Sequence, residues 1–530
     1  MLKNCIKKEK LMSKVSDYSK FHTVRDLIDN SAETYGKKPF IKYLIDDEII
    51  EKSFIDLKEN SLAICRYIRS VCPERMHIAI IGKTSYEYIT AMTGALVSGN
   101  VFVPFAPNTT VEEGVELFEA GDIEALFYED EFAEAAKAIA EKYGRLKVLV
   151  NMGNADWFAD IYEKYGDNSE YASLSEVELN PEDCATIIYT SGTTGKRKGV
   201  MLSSANLIAN ITYTEFEHEK DEVLLSVLPM HHIFCFTSDY FKSLLEGFTV
   251  CLNGEISNIG KSFQIFQPTT MRMVPMICET LIRKVGILHK RFPDLTPREA
   301  AEKVFGKNLK WVAVGGAHVS PALIDEYEKY GILLRQGYGM TETSPKITTG
   351  DNGNNHKYSC GKLMKSIFDT RIVDGEIQVK GKSVMMGYYK MPEETAAAFT
   401  EDGYLRTGDL GRFSDDGEHL YVIGRIKNLI ILSNGENVSP EELEAKFADE
   451  KVIREIVVSG ENDRIVAEVF PDTEFAAMMG IEDIEAYLNE KIKEANAGEK
   501  PEREIASLRI RETPFPKTSS NKIKRSNVSF

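Results

Sequence analysis

The sequence predicts an α/β protein, with a large N-terminal domain of mixed, mostly parallel βαβ sheets over residues 1–424 and a small α+β C-terminal domain over residues 425–530. Length is the first reason: 530 residues, 43% of them hydrophobic, can bury large cores but exceed one ordinary domain. Alternation is the second, because from about residue 75 short β-rich runs take turns with helical patterns, as βαβ units feeding a parallel sheet do. A change of texture after the segment GRIKN is the third.

In chain order, MHIAIIG reads as a strand, YEYITAMTGALVSG as a helix, VFVPFAP as a strand and, after a helix-like stretch, KVLVNM as another strand. The pattern resumes at CATIIYT, VLLSVLP, FTVCLNG, TTMRMVP and KWVAVGG, so one large α/β body is expected to run to about residue 424. Beyond it, NVSPEELEAKF offers Ser439 as a helix N-cap, Pro440 at the first helical position and Glu442 to close a capping box. EIVVSG and RIVAEVFP read as a hairpin, IEDIEAYLNEKIKEANAG as an amphipathic helix and SLRIRE as a strand, about one hundred residues in all.

A net charge of −18 argues against a general nucleic-acid binder, which needs a basic face for phosphate. Any polyanionic ligand must therefore meet a local positive site. The eight cysteines are scattered without a CxxC pair, which suits a reducing cytoplasm and speaks against a zinc cluster. No segment approaches the ~18 apolar residues of a membrane span, and the basic N-terminus lacks the apolar core of a signal peptide. The sequence thus predicts a soluble, cytoplasmic protein.

Two stretches are candidates for holding phosphate. IIGKTSYE contains only the second half of a Walker A motif, since His77 stands where its first glycine belongs, and it reads as a strand-to-helix turn. YTSGTTGKRKGV, from Tyr189 to Val200, is richer: Gly192, Gly195 and Gly199 free the backbone to aim N–H groups at an anion, Ser191, Thr193 and Thr194 add hydroxyl donors, and Lys196 and Lys198 add charge. The same composition also suits a flexible surface loop. Near the end, PFPKTSSNKIKR carries four cations that in isolation read as a solvated tail.

SGTTGKRKGV resembles the phosphate-loop signature of the adenylate-forming superfamily, which includes acyl-CoA synthetases. LPMHHIF, VGGAHVSP, GYGMTETSP, YLRTGDLG, GRIKNLIILSNGENVSPEELE and PKTSSNKIKR resemble its other signatures and occur in the superfamily's order, so the resemblance spans the chain from about residue 20. It implies ATP, Mg²⁺ and CoA as co-substrates and cofactor, a small-molecule carboxylic acid as the activated partner, and a mobile C-terminal domain that serves two half-reactions in turn.

By that resemblance Thr190, Ser191, Gly192, Thr193, Thr194, Gly195, Lys196 and Lys198 cradle phosphate, and Gly315, Gly316 and Ala317 line adenine and the acyl pocket. Tyr338, followed by Gly339, stacks on adenine; Thr341 touches phosphate; Glu342 is the Mg²⁺ ligand, a hard oxygen of the kind that ion takes. Asp409 accepts the ribose hydroxyls, Arg425 lies by ribose and phosphate, and Tyr421 and Gly435 join the nucleotide set. Lys427 stands at the hinge, and Lys522 is the catalytic lysine that brings carboxylate and α-phosphate together. Adjacent residues on an extended segment face opposite ways, so only one of His231 and His232 is expected to face the pocket. The resemblance chooses His232, with a structural histidine as the alternative. Ser204, Arg197 and Asn521 depart from the superfamily pattern; Asn521 stands where glycine is usual, and asparagine tolerates left-handed backbone better than most residues.

Among functions, the resemblance favours an acyl-CoA synthetase acting on a medium- or long-chain aliphatic acid. LPMHHIFCFT lacks the Asp-containing pattern of amino-acid-activating relatives. A stand-alone ligase that loads an acyl carrier protein, and a nucleotide sensor on the same fold, are the alternatives.

Overall fold

The computed structural model describes residues 20–153, 155–166, 170–191, 197–213, 221–350, 356–433, 436–448, 450–517 and 523–525. The expected single body is built from two seven-stranded sheets and a separate antiparallel sheet. In the first, the order is Gly387–Tyr388, Arg197–Ser203, Cys184–Ser191, Val101–Phe105, His77–Ile81, Ala125–Tyr128 and Val148–Asn151. Its last five strands run parallel, while Cys184–Ser191 and Arg197–Ser203 pair antiparallel. The second has the order Leu333–Gln336, Trp311–Val314, Thr270–Met273, Val223–Ser226, Thr249–Leu252, Pro39–Ile45 and Glu48–Ser53, parallel except for its edge hairpin.

Helix Tyr86–Val97 shows why these sheets come together. Eleven of its residues are buried, so it is apolar all round and cannot lie on a surface. Ser85 caps it by accepting from Tyr88 N, which settles GKTSYE as a strand-to-helix turn. Against it lies Phe54–Val71, held so close at Gly94 that an added Cβ would stand 2.5 Å from the Ile64 side chain. Both helices and strands of both sheets feed one hydrophobic core, where each fully buried Leu, Ile or Phe contributes ~1.5–3 kcal/mol.

Four antiparallel strands, Phe368–Val373, Glu376–Gly381, Leu405–Phe413 and Leu420–Arg425, form the third sheet. The smaller C-terminal domain has its own three-stranded sheet: Ile453–Glu461 and Arg464–Pro471 pair as the expected hairpin, and Ile505–Ile510 adds in parallel. Helix Ile484–Asn496 covers it through Leu488 and Ile492. The capping box expected at Ser439 does not form. Its hydroxyl instead donates to the Ile423 carbonyl at 3.3 Å and to Glu441 at 3.1 Å, tying the helix start Pro440–Ala445 to the preceding strand. Among the described residues no helix is long and apolar enough to cross a membrane.

Candidate active site

The segments singled out in the sequence follow the carboxyl ends of strands, where ligands of open α/β sheets bind. VGGAHVSP leaves Trp311–Val314, GYGMTETSP leaves Leu333–Gln336, LPMHHIF leaves Val223–Ser226, and the phosphate-loop segment joins Cys184–Ser191 to Arg197–Ser203. A cavity of about 2840 Å³ lies over these ends, with residues of the C-terminal domain on its far wall. That volume exceeds the usual ~300–1,000 Å³ of a single small-molecule site, so it can hold more than one substrate.

The turn carrying the catalytic candidates is folded back on itself. Gly339 bridges Lys346, Met340 N donates to Pro345 O at 2.9 Å, and a Cβ at Gly339 would stand 1.8 Å from that carbonyl, so only glycine fits. The turn presents Thr341 to the cavity and buries Glu342. Tyr388 Oη donates to Glu342 Oε1 at 2.9 Å, and the Lys198 ammonium sits 4.7 Å from the centre of the Tyr388 ring. Burial pushes the Glu342 carboxyl above its ordinary range, opposed by backbone and Tyr388 hydrogen bonds and by the charges of Lys198 and Arg425. A buried carboxylate with one oxygen held by a neutral phenol keeps the other free, so Glu342 would offer a hard oxygen ligand to a divalent ion such as Mg²⁺.

Deeper along the wall, Tyr338 Oη donates to Asp409 Oδ2 at 2.7 Å, and Arg425 Nε pairs with Asp409 Oδ1 at 2.9 Å. Strand pairing sets this up, because Asp409 and Arg425 are direct partners across Leu405–Phe413 and Leu420–Arg425. Gly315 and Gly316 form the floor, with Gly316 in the left-handed region at φ +82°, and Ala317 follows them along the lining. Tyr421 lines the same cavity under the Arg412 guanidinium, 4.2 Å from its ring centre. Lys427 lies on the short helical turn Ile426–Asn428 at the cavity mouth, its ammonium pushed down by desolvation and by Arg425.

His231 and His232 both line the cavity, contrary to the alternation expected of an extended segment. The reason is local: His232 N donates to Pro229 O at 3.1 Å, so the chain turns there and brings the two rings within 4.4 Å. Of the phosphate-loop set, Thr190 and Lys198 are placed on the two strands, and Ser191 pairs with Arg197 at the last rung. Gly192, Thr193, Thr194, Gly195, Lys196, Gly435, Asn521 and Lys522 lie outside the described residues. Flanking Lys522, Lys517 pairs with Glu455 at 2.7 Å, Lys517 bridges Ile523, and Arg525 pairs with Glu444, so these cations anchor the segment's two ends.

Tyr388 was missed in the sequence, since its link to Glu342 arises from the strand pair Gly387–Tyr388 with Arg197–Ser203. Lys346, Arg272 and Lys242 were missed as well. Their signal was there: each is a charge interrupting an apolar or motif stretch (SPKI, TMRM, YFKSLL).

Fold and cavity together agree with the adenylate-forming class of enzymes. The chain belongs to the AMP-binding enzyme family: its residues 28–389 match the AMP-binding enzyme model, and 427–529 match the AMP-binding enzyme C-terminal domain. It is similar to peroxisomal long chain acyl-CoA synthetase 7 of Arabidopsis thaliana, 30% identical over 57% of this chain and 50% of that relative, so it spans about half that relative's length. A long-chain-fatty-acid–CoA ligase of Mycobacterium bovis is 28% identical over 72% of this chain and 71% of its own. The ATP-bound crystal structure of MatB from Rhodopseudomonas palustris shares the fold, with TM-score 0.79 at 22% identity over 95% of this chain and 98% of that one.

Proposed function

We propose that the chain is an ATP- and Mg²⁺-dependent acid–thiol ligase that joins a carboxylic acid to AMP with release of pyrophosphate and then passes the acyl group to CoA. The observation that carries this reading is the convergence of Glu342, Lys198, the Tyr338–Asp409–Arg425 set and the Gly315–Ala317 floor on one cavity. A carboxylate is a poor acyl donor, because its leaving group would be oxide. Adenylation replaces that leaving group by AMP: a carboxylate oxygen forms a bond to the α-phosphorus as the bond to pyrophosphate breaks, and the thiol sulfur later displaces AMP from the acyl carbon.

Both reactants of the first step are anions, so fixed positive charge is what the site must supply. Lys198, Arg425 and Lys522 are assigned that work, with Thr341 and the segment Thr190–Lys198 donating to phosphate oxygens. Glu342 would hold Mg²⁺, which supplies Lewis-acid screening of the phosphates. Tyr338 and Asp409 orient adenosine, and His232 stands beside the acyl site. Residues 425–530 act as the lid domain, with the division at residues 424 and 425 and Lys427 at the hinge. Leu228, Ile233, Phe234, Val274 and Met276 give the lining an apolar part suited to an aliphatic acid of medium or greater length. The reaction is placed in the cytoplasm, in keeping with the seven described cysteines, all free thiols.

A second acceptor, an acyl carrier protein, is kept because one similar plant protein is named a long-chain-fatty-acid–[acyl-carrier-protein] ligase, at 25% identity over 86% of this chain. The test is a screen of carboxylic acids for acid-dependent AMP formation with ATP and Mg²⁺, run with CoA and with a carrier protein as alternative acceptors. AMP and an acyl-CoA product are expected. Formation of acyl-carrier protein but no CoA thioester with any acid would transfer the assignment to the second acceptor.

A further inference from the structure

One wall of the cavity is not apolar. Ser238 and Lys242 reach it from the helical stretch Phe236–Glu246, Arg272 from strand Thr270–Met273, and Lys346 from the turn after Pro345. The first of these segments is a π-turn, Phe236–Phe241, a distortion of the helix that proteins keep mostly at functional sites. Strand register places Arg272 beside Ala313, two residues before the Gly315 floor, so it lies about 6–7 Å down the sheet from that floor.

The wall carries three cations, Lys242, Arg272 and Lys346, and three acids, Glu246, Asp239 and Glu222, but their pairing is uneven. Lys242 pairs with Glu246 at 2.9 Å and donates to the Ile211 carbonyl at 2.9 Å. Arg272 lies 3.8 Å from buried Asp239 and feels Glu222 as a second anion. The Lys346 carbonyl accepts from Asn210 Nδ2 at 2.9 Å, but its ammonium makes no ion pair or hydrogen bond among the described residues; burial and the like charges of Lys242 and Arg272 push it down to about 7, opposed by Glu246. Ser238 is 5% exposed, and its hydroxyl has no partner among the described residues. A lone ammonium and a buried, unpartnered hydroxyl facing the methylenes of an acyl chain would cost several kcal/mol together, which a plain fatty acid would leave uncompensated. One bound anion accounts for both.

We propose that the acid activated in this cavity is an aliphatic dicarboxylic acid, whose second carboxylate is received by Lys346, Arg272 and Ser238 while its first reacts at the nucleotide. The inference rests on the acid-activating reading above and names its substrate class. Arg272 and Lys346 supply charge from two sides, and Ser238 donates a hydrogen bond. Glu246 is engaged by Lys242 and Asp239 by Arg272, so the Lys346 ammonium and the Ser238 hydroxyl are the polar groups of this wall left for an incoming carboxylate.

The experiment measures pyrophosphate release by the full chain with ATP and Mg²⁺ on matched pairs of acids: butanoate and succinate, hexanoate and adipate, octanoate and suberate. At least one diacid is expected to exceed its monoacid partner by tenfold or more in kcat/KM. Lys346→Met should lower that ratio by at least tenfold, Ser238→Ala should lower it by a smaller factor, and Lys346→Arg should retain it. Monoacids preferred at every length, or a ratio unmoved in Lys346→Met, would overturn the inference while leaving acid activation standing. Pyrophosphate release with neither class would overturn acid activation itself, and this inference with it. The wild-type preference is read before any variant, and Lys346→Arg, which keeps the charge, separates a lost contact from a failure to fold.

Discussion

Tyr338 and Asp409 are joined by a 2.7 Å hydrogen bond from the phenol to Oδ2, while Arg425 holds the other carboxylate oxygen at 2.9 Å. The carboxylate expected to receive a ribose is thus already engaged on both sides, and Arg425, which is exposed, is the partner free to swing away. Asp409→Ala should raise the KM for ATP by about 10-fold or more, the value of one or two charge-assisted hydrogen bonds. Tyr338→Phe should raise it less, because the ring remains. An unchanged KM in Asp409→Ala would remove this residue from the nucleotide site.

Glu342 is expected to matter for rate more than for folding. Glu342→Gln keeps the hydrogen bond with Tyr388 but removes the charge, and kcat should fall by about 100-fold or more with a rise in the Mg²⁺ needed for half-maximal rate. Burial raises this carboxyl above the ordinary glutamate range, so the ionised form that a metal requires is lost earlier as pH falls. Raising Mg²⁺ should therefore move the acidic limb of the pH–rate profile to lower pH.

Lys522→Ala separates the half-reactions. Adenylate formation, followed by pyrophosphate exchange, should drop sharply, whereas CoA thioester formation from a supplied acyl-adenylate should remain within a few-fold of the parent enzyme. Equal loss of both steps would contradict a lid domain that serves them in different orientations.

His231 should tie stability to pH. Burial, with His232 beside it, lowers its folded-state value to about 3, against about 6.5 in the unfolded chain. A group held neutral in this way leaves stability intact above pH 6.5 and draws it down as pH falls from there toward 3. Unfolding free energies from denaturant titrations at pH 7.5 and 5 should differ less in His231→Gln than in the parent, by about 1 kcal/mol.

The strands and turns that carry the site were legible because each motif is local. Gly339 is fixed by a carbonyl of its own turn, and the runs ATIIYT and KWVAVGG lead straight into the cavity. What escaped depends on packing between distant segments. Tyr388 meets Glu342 only after two strands pair, and Lys346, Lys242 and Arg272 become one cluster only when a turn, a helix and a strand converge. Ser439 shows the opposite failure, where a sound local capping pattern yields because the hydroxyl is turned to the Ile423 carbonyl and the Glu441 carboxylate instead. The two histidines misled for a similar reason, since alternation holds for strands and Pro229–His232 is a turn.

Trp311, one of two tryptophans in the chain, stands on the cavity wall with the Arg272 and Arg335 guanidinium groups each 5.1 Å from its ring. An indole flanked by two cations is a built-in optical probe. An anion bound beside Arg272 alters the field across the indole, so tryptophan emission offers a label-free titration of cavity occupancy, readable before any turnover occurs.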